Sequence, residues 1–313
     1  MKAAISIMHT SSTSRRLRAA ALTLLLGLGL AACASAKGTV PANSPAMSGM
    51  AATSTPGASS TDSSMPGMSM SSAEPMPSGN GLSQTQDGYT LKLLSTNLST
   101  SGFRFEILDS MGKPVTSFEQ DQTKFMHFYL VRSDLTGYQH AHPSMAADGI
   151  WTTPPATPAP GDYRVYASFE VKDSAGTVKA YVLSASVTVP GSAATTVLPG
   201  AATSTTIDGY LLTVNGTVMA GMTHTFTVSI SKDGKPVHDL QPYLETYAHL
   251  TAIHQGDLAF AHLHPEGPAA TENTGGPKLT FQTSMPESGN WRFFIQFQTA
   301  GVLHTASLTM SVS

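Results

Sequence analysis

One eighteen-residue stretch occurs twice in this chain, and that duplication limits what the chain can fold into. Residues 126–143 read MHFYLVRSDLTGYQHAHP, and residues 248–265 read AHLTAIHQGDLAFAHLHP. Each copy holds a histidine, twelve intervening residues and then H-x-H-P. These are His127, His140, His142 and Pro143 in the first copy, and His249, His262, His264 and Pro265 in the second. The residues between them differ widely while the spacing is kept. Three imidazoles at one spacing, held twice, point to metal binding, because neutral imidazole is the commonest metal ligand.

The duplication reaches well beyond the histidines. Asp87-Gly88-Tyr89 matches Asp208-Gly209-Tyr210, and Gly112-Lys113-Pro114-Val115 matches Gly234-Lys235-Pro236-Val237. Register slips only after the H-x-H-P, where the second copy has extra residues in a Pro/Gly/Thr/Asn stretch at 266–278, before Gly289-Asn290-Trp291-Arg292 answers Gly161-Asp162-Tyr163-Arg164. Short runs of alternating or continuous apolar residues lie at 89–94, 103–108, 128–131, 163–169 and 181–189. In the second copy they lie at 210–214, 225–230, 250–253, 291–297 and 305–312. Gly, Pro, Asp and Ser separate them, and no segment has a helical period. The expected fold is all-β: two tandem immunoglobulin-like β-sandwich repeats, 87–189 and 206–313, joined by a linker at 190–205.

Spacing also predicts a hairpin register. A turn at 133–136 sets His127 opposite His142 and Tyr129 opposite His140; a turn at 255–258 sets His249 opposite His264. All three histidines of a copy then share one face of the sheet, with opposed Cβ atoms about 5 Å apart. They can converge on one ion at roughly 2 Å, the usual zinc–nitrogen bond. His304 opens the last strand in the phase of Ala306, Leu308, Met310 and Val312, and would complete a four-histidine set if that strand neighbours the hairpin. The first copy has Ala180 or Tyr181 near that place. His254 falls on the opposite face from His249, and His224 and His238 have no counterparts; none of the three is expected to be a ligand. Which way the histidine face looks is left open by parity, since Met126, Phe128 and Leu130 are apolar on one face while Tyr129, Val131 and Tyr138 are hardly polar on the other.

Lys and Arg together number 17 against 20 Asp and Glu, and they are scattered. Without a basic stripe to neutralise phosphates, nucleic acid is excluded as a partner. Residues 1–32 read as an export signal: Arg15, Arg16 and Arg18 precede a short apolar run at 19–30, too short to span a bilayer. That run ends in Leu30-Ala31-Ala32-Cys33, which resembles the lipobox of bacterial lipoproteins. The resemblance implies cleavage before Cys33 and a lipid on its sulfur, so that the membrane becomes a partner and the protein faces away from the cytoplasm. Cys33 is the only cysteine, which removes any intramolecular disulfide.

Residues 33–86 form a tail of Ser, Thr, Ala, Pro, Gly and Met that lacks the apolar surface to order itself. As a random coil it would reach roughly 40 Å from the anchor. Met65, Met68 and Met70 cluster within it, and thioether sulfur suits Cu(I); a solvated spacer that uses Met as one of its few letters is the alternative.

H-x12-H-x-H-P following G-K-P-V, together with the closing W-R-F-F-I-Q-F-Q-T-A-G-V-L-H-T-A, resembles exported bacterial proteins and lipoproteins with repeated H-x-H-P β-domains, often associated with heavy-metal and especially copper handling. The likeness covers both copies and is clearest over 234–312. It implies an extracytoplasmic location and metal binding on His249, His262, His264 and His304; the first copy departs from it by lacking the last histidine. The reading is therefore a membrane-anchored metal-binding protein, for copper or alternatively zinc, that buffers the ion or passes it to a partner protein. A zinc hydrolase or lyase is the second reading, with Asp134 and Asp257 as distant acid–base candidates. A tandem sandwich without metal is the third. No Ser-His-Asp arrangement, nucleotide loop or H-E-x-x-H motif is present to suggest other chemistry.

Overall fold

The computed structural model describes residues 79–95, 102–267 and 270–313. Among the described residues every regular element is a strand, and no helix is long and apolar enough to cross a membrane. The first repeat builds two antiparallel sheets. One holds β1 (Thr85–Gln86), β2 (Tyr89–Leu93), β3 (Arg104–Leu108), β6 (Ser144–Met145) and β7 (Trp151–Thr152) in the order β1-β2-β3-β7-β6. The other holds β4 (His127–Arg132), β5 (Gln139–Ala141), β8 (Gly161–Lys172) and β9 (Val178–Val189) in the order β5-β4-β8-β9.

The second repeat answers with β10 (Ser204–Ile207), β11 (Tyr210–Asn215), β12 (Thr223–Lys232), β13 (Lys235–Pro236) and β16 (Lys278–Ser284) in one sheet. Its other sheet runs β15 (Phe260–Leu263), β14 (His249–His254), β17 (Gly289–Thr299), β18 (Val302–Val312). The two Asp-Gly landmarks are the β1–β2 and β10–β11 turns. Asp87 and Gly88 have φ of 48° and 87°, and Asp208 and Gly209 have φ of 49° and 81°. Those values make the tight turn whose twist matches paired strands.

The β16 strand was not expected from sequence. It lies just past the extra residues of the second repeat and pairs with β12 from Thr223↔Ser284 to Ser229↔Lys278. Leu279, Phe281 and Thr283 point inward while Lys278, Gln282 and Ser284 are exposed, a plain two-residue period. In the first repeat only the two-residue β7 meets β3 there.

Each repeat is an immunoglobulin-like sandwich closed on its own core. Phe105, Ile107 and Trp151 face Phe128, Leu130, Val165 and Leu183 in the first. Phe226, Val228 and Phe281 face Leu250, Phe293 and Leu308 in the second. A third apolar layer lies between the repeats, made by Tyr129, Val131, Leu135, Tyr166 and Val182 of the first and Ile253, Phe260 and Phe294 of the second. These side chains come from the outer faces of the two four-stranded sheets, so those sheets pack face to face. Tyr138 stacks on Phe294 with ring centroids 4.1 Å apart and planes 6° from parallel. The Tyr166 hydroxyl donates to the Leu258 carbonyl at 2.6 Å. The segment entering β1 straps the pair: the Asn80 carbonyl accepts from Phe260 N–H, and the Ser83 carbonyl from Ser184 N–H.

Candidate metal centre

Both histidine hairpins fold in the register that their spacing predicts. Tyr129 pairs with His140 and Thr251 with His262. His127 and His142 stand one step past the Phe128↔Ala141 pair, and His249 and His264 one step past Leu250↔Leu263. Alternation therefore puts all three histidines of a repeat on the face that carries Tyr129 and Val131, or Thr251 and Ile253. That face looks at neither the sandwich core nor solvent but at the other repeat. Tyr129, Val131 and Tyr138 are apolar there because both faces of the sheet are buried.

The three histidines of each repeat converge. Each ring offers a nitrogen, and the offered atoms of His127, His140 and His142 all lie within 4.8 Å of one another, as do those of His249, His262 and His264. Each first histidine is braced in the same way. His127 Nε2 lies 3.0 Å from the Asp121 carbonyl, and His249 Nε2 lies 3.0 Å from the Tyr243 carbonyl. A carbonyl only accepts, so each Nε2 carries the proton and each Nδ1 presents a lone pair to its triad.

Both carbonyls come from a turn six residues upstream. Asp121 bridges Lys124, and Tyr243 bridges Thr246. The turn tips, Gln122-Thr123 and Leu244-Glu245, have φ of 47° and 67° and of 55° and 62°. Left-handed pairs of this kind usually hold Asn or Gly. Side chains there cost on the order of 1 kcal/mol or more each, and the chain keeps the arrangement in both repeats.

The partner nitrogens are oriented from outside the motif. His140 Nδ1 donates to Gln296 Oε1 at 2.7 Å, while Gln296 Nε2 donates to Thr305. His140 Nε2 therefore turns its own lone pair toward His127 Nδ1, 3.1 Å away. In the second repeat His249 Nδ1 and His262 Nε2 are 3.5 Å apart. The two lone pairs of the His127–His140 contact repel unless a cation lies between them. Two imidazoles on one ion, with bonds near 2.0–2.1 Å, sit roughly 3–3.5 Å apart. His142 Nε2 is buried and meets no hydrogen-bond partner.

Burial pushes His140, His249 and His262 well below the ordinary histidine range, and the neighbouring imidazoles push the same way. Burial, His127 and Lys124 lower His142 to about 3. These rings are neutral near pH 7, the state in which imidazole ligates a metal.

The two triads also meet each other. His127 lies 5.7 Å from His262 and 6.3 Å from His249 by ring centroids, and His140 lies 5.8 Å from His249. Within the triads, His127–His140 is 5.3 Å and His249–His262 is 5.7 Å. Tyr129 stacks on His140 at 4.4 Å, and its hydroxyl lies 3.1 Å from His262 Nδ1 and 3.2 Å from His262 Nε2.

His304 does not join them. Strand β17 separates β18 from β14, and His304 pairs with Phe297 on the core face, one residue out of phase with Gln296, which pairs with His249. Asp208 accepts from His304 Nδ1 at 2.7 Å, and the Thr299 hydroxyl lies 3.0 Å from Nε2, so both ring nitrogens are engaged in bracing the end of the core. Tyr181 takes the equivalent place opposite Phe169 in the first repeat, likewise within the core. Asp134 is tied to Arg132 and Thr136 in its turn. His254, set aside as a ligand, is on the seam-side strand β14 but lies with Asp257 and Glu287 at its far end. Its Nδ1 is 2.7 Å from Asp257. Cys33, Met65, Met68 and Met70 lie outside the described residues. Spacing alone did not reveal Gln296, Tyr129 or the two carbonyls, because each acts across the chain rather than along the motif.

A family model described as a domain of unknown function, DUF8832, matches residues 84–187 and again residues 205–313. The chain belongs to this family. Its two matched segments coincide with the two sandwiches, each carrying one triad. No curated protein sequence matches. Among solved structures, the tetra-tandem repeat in the extending region of a large adhesion protein is similar at 11% identity and TM-score 0.22, with 71% of this chain and 48% of that chain covered. The chain thus spans about half that protein's length. Domains 4 and 5 of the S-layer protein SbsC are 15% identical with TM-score 0.17, covering 73% and 95%. A putative membrane anchored protein from Corynebacterium diphtheriae is 10% identical with TM-score 0.21, covering 73% and 59%. Likenesses this low carry no argument about function.

Proposed function

We propose that this protein binds transition-metal ions on its histidine triads, as an exported lipoprotein held to a membrane through Cys33. The observation that carries the reading is the repeated brace. Two separate stretches of chain hold a backbone carbonyl on one ring N–H and leave converging lone pairs for which a cation is the natural partner. A donor set of three neutral imidazoles suits Cu(II) or Zn(II). The Met65, Met68 and Met70 cluster favours copper, since thioethers take Cu(I), and a chain able to hold both states would buffer the ion or hand it to a partner protein.

Titration of the full chain with Cu(II) and with Zn(II), read by native mass spectrometry, tests this. The expected result is tight uptake that falls by one ion per chain in the His262→Ala, His264→Ala double variant. Binding of both metals no tighter than millimolar would sink the proposal and leave the triads as hairpin braces. Metal-dependent turnover of an ester or phosphoester would move the assignment to the hydrolase reading.

A further inference from the structure

The triads are not two remote sites. In each, three rings leave one face of one sheet, so an ion they hold has its remaining coordination directed off that sheet. Off either sheet lies the other repeat. Face-packed sheets are about 10 Å apart, and the gap here is filled by imidazoles from both sides, with cross-repeat ring distances of 5.7 to 6.3 Å. The supports cross the gap as well: Gln296 of the second repeat fixes His140 of the first, and Tyr129 of the first reaches His262 of the second.

Charge sets a further condition. Six neutral imidazoles supply no negative charge, so two divalent ions in one compartment would repel strongly. Among the described residues a carboxylate in contact with the cluster is that of Asp121, 3.8 Å from His127 Nε2; its counterpart in the second repeat is Tyr243. Compensation has to come largely from a small anion. A cavity of about 520 Å³ between the repeats, lined by His140, His142, Pro154, Gln296 and Thr305 among others, opens beside the cluster and gives such an anion room to enter.

We propose that the six histidines form one dinuclear centre, each ion held by one repeat, with the open coordination positions facing each other and shared by a small bridging anion such as hydroxide or chloride. This rests on the reading that the triads hold metal, and it adds that the ions are coupled.

Loading the full chain with Cu(II) and recording its electron paramagnetic resonance tests the coupling. The expected result is two copper ions per chain, with a dipolar-broadened signal and a half-field transition, or an integrated intensity well below two spins. Mixed loading, with Cu(II) scarce and Zn(II) in excess, should restore a simple isolated Cu(II) spectrum without altering the protein. His264→Asn, at the rim of the cluster, should do the same. Two coppers with two full, uncoupled spins would overturn the dinuclear centre while leaving metal binding intact. One copper per chain, lost equally on changing either triad, would overturn it in favour of a single shared ion. Failure to bind copper or zinc at all would remove both proposals.

Discussion

The two hairpins share a skeleton and a histidine triad and differ in the side chains that fill the seam around it. Each has the upstream carbonyl, the first histidine, the H-x-H-P and the same register. Yet Tyr129 stands where the second repeat has Thr251, Tyr138 where it has Phe260, and Ser168 where it has Gln296. The differences are complementary. The Tyr138 hydroxyl lies 2.9 Å from Thr251 Oγ1, and Tyr129 and Tyr166 both pack on Phe260 with centroids 4.9 Å away. Two identical faces would set phenol against phenol or threonine against threonine and leave either a clash or a void. The histidines and the carbonyls that brace them are copied, whereas the residues that surround them have diverged to fit one another.

The largest effect expected from disturbing that fit is on stability. Phe294 is 5% exposed, and Phe294→Ala removes the ring on which Tyr138 stacks. A loss of about 3 kcal/mol is expected from the emptied seam, read by urea unfolding of the metal-free protein. A loss under about 1 kcal/mol would mean that the repeats lean on each other only loosely.

Next come the crossed supports, which should act on opposite repeats. Gln296→Leu removes the acceptor that orients His140, and supports of this kind are worth roughly 10–100-fold in metal affinity. The weakened ion should be the one held by the first repeat, although Gln296 belongs to the second. Tyr129→Phe deletes only a hydroxyl, worth about 1 kcal/mol or several-fold in affinity, and should weaken the ion of the second repeat. Competition titrations in backgrounds that keep a single triad would assign each loss. Equal losses at both ions would break the crossed scheme.

The smallest effect distinguishes the hairpin turns. The Asp134 carboxylate accepts from Arg132, Thr136 and the Thr196 N–H of the linker. Burial opposes its ionisation, but those donors outweigh it and hold the carboxyl well below the usual range. Its folded value lies under its unfolded one, so the stabilisation is complete above the ordinary aspartate value of about 3.9. It fades as pH falls through the lower folded value. Asp134→Asn should cost about 1 kcal/mol near neutrality, and the difference from the parent should close in acid. A gap of the same size at neutrality and at pH 2 would assign the effect to packing. The second repeat has Gly256 at this position and holds Asp257 to His254 instead.

Much of this was readable from the chain alone. The Asp-Gly turns, the alternating strands and the one-plus-two histidine spacing fixed two sandwiches and the hairpin register, because each is a local rule. The direction of the histidine face was not readable, since it depends on a partner sheet more than a hundred residues away. The hint was there: Tyr129, Val131 and Tyr138 are too apolar for a solvated face. His304 failed for a related reason. It shares the core-facing phase of Ala306, Leu308, Met310 and Val312, but the triads occupy the other face, and strand β17 comes between. Strand β16 is hidden in the sequence although Leu279, Phe281 and Thr283 alternate cleanly, because it follows the Pro- and Gly-rich insertion that marks a loop.

The seam has a consequence for how such a protein comes into being. Half of each interface plate is supplied by the other repeat, so a chain carrying one copy would display Tyr129, Val131 and three imidazoles, or their counterparts, with nothing to cover them. The first repeat expressed alone should therefore self-associate through that plate, less tightly than the tethered pair because Tyr129 and Tyr138 would meet their own copies instead of Phe260 and Thr251; a protein that stays monomeric on concentration would contradict this. Gene fusion would then have tethered the halves of a former homodimer, freeing each to change against the other and turning a symmetric pair of sites into two that can be tuned apart.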